Sequence, residues 1–193
     1  MMHTADLLKV FAQHRADAIV ISGRGGRHWI ELSDTTLDVP LGDPAMGGHS
    51  GFGLGLALAQ PNRRVILFDS EGDILMSMGQ LATIAEQAPA NFYHFILDNE
   101  VYATTGGQPV PNAKHVDYAM IARGAGYPRA FNFAELDAFS AELPEILRVP
   151  GPVFVALKVF PEVENTPIGQ RVRWRKRAAD KVVRDLREAL GAT

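Results

Sequence analysis

A chain of 193 residues, of which 47% are hydrophobic and 21% charged, suits a single globular domain, and we expect residues 1–193 to form one. The net charge of -3 gives no basic field for nucleic acid phosphates, so no nucleic acid partner is expected. The absence of cysteine excludes disulfides, zinc-thiolate sites and cysteine nucleophiles. The N-terminus lacks the continuous apolar core of a signal peptide, and no later segment approaches the ~18 apolar residues that span a membrane. We therefore expect a soluble, cytoplasmic protein without membrane association.

Helical and strand patterns alternate along the chain. A short amphipathic helix around residues 7–11 precedes an apolar strand at 18–22, which a glycine-rich loop ends. Further strands are predicted over 64–69, 92–98 and 153–159, and helices over 50–59, 74–87, 118–125, 133–147 and 171–190. Because the strands are apolar along their whole length, the pattern predicts an α/β fold, a doubly wound parallel sheet with helices on both faces.

Polar residues and glycines gather where three of these strands end, at 22–25, 70–73 and 98–100. In parallel sheets, ligands bind at this carboxyl edge. Glu71 and Asn99 offer the hard oxygen ligands that Mg²⁺ prefers, and Gly72 would let a phosphate approach the start of a helix. The local chemistry leaves an alternative open, in which Glu71 and Asp73 cap the helix and Asn99 forms a turn.

The segments VILFDSEGDILMSMGQLATIA and FILDNEVYATTGGQ resemble the cofactor motif of thiamine-diphosphate enzymes, Gly-Asp-Gly followed after about 25 to 30 residues by Asn. In addition, LGDPAMGGHSGFGLGLALAQPNRRVILFDSEG and LDNEVYATTGGQPVPN are similar to the beta subunit of sulfopyruvate decarboxylases and to the matching half of phosphonopyruvate decarboxylases. The resemblance covers nearly the whole chain. It implies a decarboxylase that uses thiamine diphosphate and Mg²⁺ to act on a small 2-oxo acid with a sulfonate or phosphonate tail.

The resemblance also implies roles for individual residues. The side chains of Glu71 and Asn99 and the backbone carbonyl of Val101 would bind Mg²⁺, and Met46 would lie under the cofactor and force its V-shaped conformation. The alternative for Met46 is an ordinary core methionine. The complete set of cofactor-binding residues that the resemblance implies is Gly23, Arg24, Gly25, Met46, Gly47, Glu71, Gly72, Asp73, Asn99, Val101, Tyr102, Ala103 and Thr104.

Two departures from the family pattern lie in the motif itself, where Ser70-Glu71-Gly72 replaces Gly-Asp-Gly and Asp73 replaces a small residue. Glutamate remains a hard ligand, whereas a second acid near a diphosphate should weaken binding unless its side chain points away. The family also needs an activating glutamate from a pyrimidine-binding domain, for which this chain has no room. We therefore expect a pyrimidine-binding alpha subunit as the partner in a hetero-oligomer.

Two histidines and a basic run complete the candidates. His28 and His49 are predicted in loops that face the cofactor, where either would transfer protons or bind an anionic substrate tail. His94 lies within an apolar strand and is expected to be a core histidine. The run 171–177, within a predicted charged helix, is a solvated face, a docking surface or a means of capturing an acidic tail.

Two alternatives to the decarboxylase remain open from the sequence. A carboligase of the acetolactate synthase kind would use the same cofactor site with a second carbonyl substrate. A non-catalytic regulatory subunit of the same fold is suggested by the altered Ser70-Glu71-Gly72 motif.

Overall fold

The computed structural model describes residues 1–41 and 46–191, and its centre is a six-stranded sheet. The strands of this sheet are β1 (Ile19–Ser22), β2 (Asp38–Pro40), β3 (Val65–Ser70), β4 (Phe92–Asp98), β7 (Arg129–Phe133) and β8 (Val153–Lys158). Their order is β2-β1-β3-β4-β8-β7, and every neighbouring pair is parallel. A separate antiparallel pair joins β5 (Val101–Tyr102) to β6 (Gln108–Pro109).

Helices cover both faces of the sheet. They are α1 (Thr4–Ala12), α2 (Trp29–Leu32), α3 (His49–Ala59), α4 (Glu71–Met76), α5 (Gly79–Gln87), α6 (Tyr118–Gly124), α7 (Leu136–Ile146) and α8 (Ala179–Ala189). Two buried clusters fill the space between sheet and helices, one with α3, α4, α5, α6 and α8 and the other with α1, α2 and α7. Side chains of β4 alternate between them, since Phe92 and Ile96 belong to the first cluster and Phe95 to the second. The predicted doubly wound α/β fold is confirmed.

Several element predictions were wrong in detail. Strands β2 and β7 were not predicted, and Phe133, assigned to a helix, ends β7 instead, so that α7 begins only at Leu136. The helix predicted over 74–87 is two helices, because Ser77 leaves the helical backbone conformation (φ -138°, ψ 39°) between α4 and α5. Short strands and helix breaks carry little periodic signal, which explains these errors.

The basic run 171–177 lies outside any α-helix, contrary to prediction, because α8 begins only at Ala179. Arginines at both ends of the run donate hydrogen bonds to backbone carbonyls that are distant in the chain: Arg171 to Thr104 and Arg177 to Thr35 and Asp38. The side chains at both ends of the run are therefore engaged in tertiary contacts.

No helix within the described ranges is long and apolar enough to cross a membrane. The single-domain organisation and the cytoplasmic location remain predictions from the sequence. The parallel sheet brings the carboxyl ends of β1, β3 and β4 to one edge, because these three strands are neighbours.

Candidate functional site

Helix α4 begins directly at the end of β3, and this brings Glu71 into the interior. Ser70 caps the helix, since its Oγ accepts a hydrogen bond from the Asp73 backbone N–H at 3.2 Å. The side chain of Glu71 is buried, with 1% of its residue surface exposed. Its Oε1 accepts from the backbone N–H of Asn99 at 3.2 Å, whereas Oε2 has no hydrogen-bond partner among the described residues. Burial, reinforced by the charge of Asp98, raises the pKa of Glu71 to about 8.

Asn99 and Val101 lie in a tight turn after β4, next to Glu71. Glu100 adopts the left-handed conformation (φ 67°), and Asn99 Oδ1 accepts a hydrogen bond from the Val101 N–H at 3.0 Å. Asn99 therefore does form a turn, as one of the sequence alternatives held. An amide oxygen has two lone pairs, so this bond leaves Asn99 able to bind a cation as well.

Lys158 neutralises the other acids near this turn. Its Nζ lies 2.8 Å from Asp98 Oδ2 and 3.0 Å from Glu100 Oε1. Glu71 is thus the buried acid of this group with an unpartnered oxygen among the described residues, and such a carboxylate, next in space to the Asn99 backbone, fits a hard cation such as Mg²⁺. The sequence reasoning missed Lys158; its position at the polar end of an otherwise apolar strand was the available signal.

Two hydrogen bonds hold the side chain of Asp73. Its Oδ1 accepts a hydrogen bond from the Gly47 N–H at 2.7 Å, and Oδ2 accepts from the Ser70 hydroxyl at 2.8 Å. Burial and the nearby charge of Asp69 raise the pKa of Asp73. Asp73 does not cap α4 with its side chain, because Ser70 does so. The departure from a small residue at this position therefore serves to hold Gly47.

Met46 and Gly47 form a turn that requires unusual backbone conformations. Met46 has φ 43° and Gly47 has φ 88°, and a Cβ on Gly47 would lie 2.2 Å from Ser77 Oγ. The Gln80 amide also donates to the Gly47 carbonyl at 3.0 Å. Met46 is 65% exposed, so it is not a core methionine. A non-glycine residue held in the left-handed region at an exposed rim is a feature typical of ligand-binding turns.

Glycines of the first loop pack closely against their surroundings. A Cβ on Gly23 would lie 2.7 Å from the ring of His49, and one on Gly25 would lie 3.5 Å from Leu97 at the end of β4. The Gly23 N–H also donates to the Phe68 carbonyl in β3 at 3.2 Å. The loop that contains Gly23, Arg24 and Gly25 therefore lies across the ends of β3 and β4.

The second loop predicted to contact the cofactor is also fixed by specific contacts. Gly72 packs beneath Tyr102, because a Cβ at Gly72 would lie 3.2 Å from that ring. The carbonyl of Ala103 accepts a hydrogen bond from the Glu164 N–H at 2.8 Å, and that of Thr104 accepts one from Arg171 at 2.8 Å. The segment after β8 thus holds this loop in place.

His49 packs against Gly23 and lies in a helix, not in a loop. It is the first residue of α3 and is buried, with 4% exposed, so its predicted loop position was wrong. Its Nδ1 lies 3.2 Å from Asp69 Oδ1 and 3.9 Å from Asp73 Oδ2. The buried ring supports the Gly23 backbone from below.

Asp69 joins two histidines in the interior. His94 Nε2 lies 3.4 Å from Asp69 Oδ2, and His94 Nδ1 lies 3.4 Å from the Tyr127 hydroxyl. Although burial raises the pKa of Asp69, the imidazoles of His49 and His94 hold it well below its ordinary value. The sequence reasoning missed Asp69, even though an acid that ends an apolar strand beside the motif is itself a signal.

His28 is the more accessible histidine of the two candidates. It lies in the turn before α2 with its side chain 33% exposed, and its Nε2 lies 2.8 Å from Glu162 Oε2. Arg27 contacts the same Glu162 oxygen. The structure therefore separates the two histidines, with His49 inside the protein and His28 near the surface.

The family model described as "Thiamine pyrophosphate enzyme, C-terminal TPP binding domain" matches residues 13–157. The chain is 36% identical to a phosphonopyruvate decarboxylase of Streptomyces viridochromogenes over 159 residues, which cover 81% of this chain but only 39% of that protein. It is 32% identical to a sulfopyruvate decarboxylase subunit beta of Methanococcus maripaludis over 168 residues, covering 84% of this chain and 86% of that subunit.

Among solved structures, the chain resembles a candidate thiamin diphosphate-dependent enzyme from Mycobacterium smegmatis, with a TM-score of 0.71 and 21% identity. The match covers 83% of this chain and 32% of the other, and it bears on the fold alone. From the family model and the identity to the beta subunit, the chain belongs to the thiamine pyrophosphate enzymes, in which it corresponds to the C-terminal TPP-binding domain.

Proposed function

We propose that this chain is the diphosphate- and magnesium-binding subunit of a heteromeric thiamine-diphosphate-dependent 2-oxo-acid decarboxylase. The observation that carries the proposal is the buried Glu71 carboxyl, which has an unpartnered oxygen and lies against Asn99 at the carboxyl edge of the sheet. An unpaired buried carboxyl costs stability, so a site of this kind is retained where a ligand completes it.

The chain's own residues would hold the cofactor as follows. Glu71, Asn99 and the Val101 carbonyl bind Mg²⁺, and the Gly72 backbone meets the diphosphate at the start of α4. The loop of Gly23, Arg24 and Gly25 contacts the diphosphate from the β1 side, with Gly47, Asp73, Tyr102, Ala103 and Thr104 lining the remainder. When bound, the cofactor supplies an electron sink for loss of CO₂ from a 2-oxo acid.

Asp73 and Met46 act together in this proposal. Asp73 holds the Gly47 N–H, and this contact fixes the turn from which Met46 projects. The Asp73 carboxylate is directed to Gly47 and Ser70, so its charge is partly compensated before a diphosphate arrives. Met46 would then support the bent cofactor from the exposed rim.

The two histidines would have different roles. His49 is buried against Gly23 and Asp69. We therefore assign it the role of positioning the loop of Gly23, Arg24 and Gly25. His28 is partly exposed and bonded to Glu162, which makes it the better placed of the two to exchange protons with a substrate.

A partner subunit is supported by exposed apolar side chains at the rim of the site. Met46, Met76 and Met78 are 65%, 51% and 39% exposed, and Phe52 on α3 is 38% exposed. Met46 adjoins Gly47, while Met76 and Met78 flank Ser77, the residue that a Cβ on Gly47 would strike. Apolar surface of this kind marks an interaction site. We propose that a pyrimidine-binding alpha subunit covers it and contributes the activating glutamate.

The test is calorimetric titration of thiamine diphosphate, with and without Mg²⁺, into the chain co-purified with its partner. We expect magnesium-dependent binding, which Asn99→Ala abolishes and Met46→Ala leaves intact while slowing decarboxylation. Unchanged cofactor binding by the Asn99→Ala protein would contradict the metal assignment.

The same preparation distinguishes the second candidate, a non-catalytic regulatory subunit, which the Ser70-Glu71-Gly72 departure favours. That function predicts no magnesium-dependent binding even with the partner present. Product analysis with sulfopyruvate, phosphonopyruvate and pyruvate then identifies the substrate, and a condensed product in place of an aldehyde would indicate a carboligase.

A further inference from the structure

The segment 172–176, here called the basic strap, crosses the surface beside α2 and is anchored at both ends. Before it, Arg171 donates to the carbonyls of Thr104 and Thr166 at 2.8 and 2.7 Å. After it, Arg177 donates to the Asp34 carboxylate and to the Asp38 carbonyl at 2.9 and 2.7 Å. The two flanking arginines are therefore committed to structure, and the strap between them is held in a defined position.

A cavity of about 420 Å³ lies between the strap and residues 27–31. This volume suits a small molecule. Its polar lining contains one carboxylate, and the remainder is cationic or aromatic: the side chains are Glu31 and Arg27, His28, Arg173, Trp174, Arg175 and Lys176.

The charges that line the cavity are only partly compensated. Arg27 and His28 share the single carboxylate of Glu162. Lys176 Nζ donates to the Ile30 carbonyl at 2.7 Å and lies 3.9 Å from the exposed Glu31. Within residues 1–41 and 46–191, neither Arg173 nor Arg175 forms an ion pair or a hydrogen bond. An anion in the cavity would meet two guanidinium groups that are not otherwise engaged.

Trp174 lines the same cavity between these arginines and is partly buried. A tryptophan ring offers a flat apolar face to the body of a ligand, while guanidinium groups bind phosphate-type oxygens in bidentate fashion. We propose that this cavity binds a small molecule that carries a phosphate, phosphonate or sulfonate group. Arg171, directly before the strap, donates to the Thr104 carbonyl, so the strap is linked to a loop assigned to the cofactor.

Two sources of this anionic group are consistent with the chemistry. One is the tail of the 2-oxo acid substrate, and this source rests on the proposed function. The other is a separate organic phosphate, such as a nucleotide. The binding of the anion can be measured without turnover, so its failure and the failure of the proposed function are distinguishable.

The experiment titrates methylphosphonate, inorganic phosphate and AMP into the chain co-purified with its partner, with excess thiamine diphosphate and Mg²⁺ present. Binding is followed by calorimetry and by the fluorescence of Trp174; Trp29, the other tryptophan, is fully buried. We expect saturable binding that weakens with salt and that falls about tenfold or more in the Arg173→Gln/Arg175→Gln double variant. The matched control is Arg187→Gln, an exposed arginine of α8, which should leave the affinity unchanged.

The readouts separate the sources. A substrate tail predicts that the double variant raises KM for sulfopyruvate or phosphonopyruvate with little change in kcat, and leaves KM for pyruvate unchanged. A separate organic phosphate predicts AMP binding that the double variant loses, with all KM values unchanged.

Absence of saturable binding, or equal binding by the double variant and the Arg187→Gln control, would overturn the proposal. Loss of partner co-purification by the double variant, with no anion binding by the original protein, would also overturn it and assign the strap to subunit docking. Trp174→Phe provides a second check, because binding that persists without its fluorescence change places the ligand beside this ring. Thiamine diphosphate titration of the same samples tests the proposed function separately.

Discussion

Asp69 and Glu71 are buried carboxyls two positions apart, yet their surroundings drive them to opposite charge states. Asp69 lies near two imidazoles, and its pKa is held well below the ordinary value. Glu71 has one bonded oxygen and one without a partner among the described residues, and burial raises its pKa to about 8. Burial alone therefore does not decide the charge of an acid in this protein; its partners do. Each acid has one oxygen without a hydrogen-bond partner among the described residues, but the imidazoles beside Asp69 favour its ionised form, and we propose that a cation would do the same for Glu71.

The largest expected effect comes from replacing Asp69, the acid that lies near two imidazoles. Asp69→Asn leaves His49 and His94 without their carboxylate, and the loss of one partner from a buried charged group costs about 3 kcal/mol or more. We expect the urea midpoint of the chain to fall accordingly. The control is Asp6→Asn on α1, whose exposed pair with Lys9 is worth less than about 1 kcal/mol. Equal midpoints for the two variants would show that Asp69 is not structurally required.

Replacement of Glu71 should instead leave the stability intact and affect the binding of the cofactor. Glu71→Gln removes the carboxylate that we propose as a metal ligand, so we expect magnesium-dependent affinity for thiamine diphosphate to fall by about 100-fold, as measured by calorimetry. The unliganded variant should be at least as stable as the original chain at pH 8, since no buried acid has to ionise. The control Glu86→Gln, on the exposed face of α5, should change neither property. A Glu71→Gln protein that binds the cofactor normally would remove Glu71 from the metal site.

The pH dependence of unfolding provides a further test of the difference between Glu71 and Asp69. Because the pKa of Glu71 rises on folding from 4.5 to about 8, the folded state holds a proton that the unfolded state has lost within this window. The free energy of unfolding of the unliganded chain should therefore fall as pH rises from 4.5 to 8, by up to about 1.4 kcal/mol per unit.

Asp69 contributes with the opposite sign. Its pKa is lowered on folding, so its contribution is present above the unfolded value and is lost only as pH falls below about 4. Urea unfolding of the original chain and of Glu71→Gln between pH 5 and 8.5 measures the first slope. A difference between the two proteins that does not grow with pH would contradict the raised pKa of Glu71.

The smallest effect concerns the loop of Gly23, Arg24 and Gly25, which packs against His49. Gly23→Ala would place a Cβ 2.7 Å from His49, and we expect a loss of about 1 to 2 kcal/mol in stability with weaker cofactor binding. Gly55→Ala in α3 is the matched control, because nothing lies within 4 Å of its Cβ. That change should stabilise the helix by about 0.5 to 1 kcal/mol. If both variants gain stability, His49 does not constrain the loop.

The part of the site that lies close to a strand end could be predicted from the sequence. Glu71, Gly72 and Asn99 follow apolar runs whose ends must meet at one sheet edge, and their spacing resembles a known motif. The orientation of Asp73 could not be predicted, because it depends on the Gly47 N–H, which is 26 positions away in the chain. The buried position of His49 likewise depends on packing against Gly23 and Asp69.

By itself, the sequence determined the alternation of buried strands and helices, and hence the doubly wound sheet, because apolar periodicity is a local property of the chain. Only the tertiary structure decided the charge state of each acid, since that depends on which groups from distant elements surround it. The same holds for the basic strap, which its composition assigned to a helix. Arg171 and Arg177, which flank the strap, instead donate hydrogen bonds to carbonyls that are distant in the chain, and a local sequence pattern does not encode such contacts.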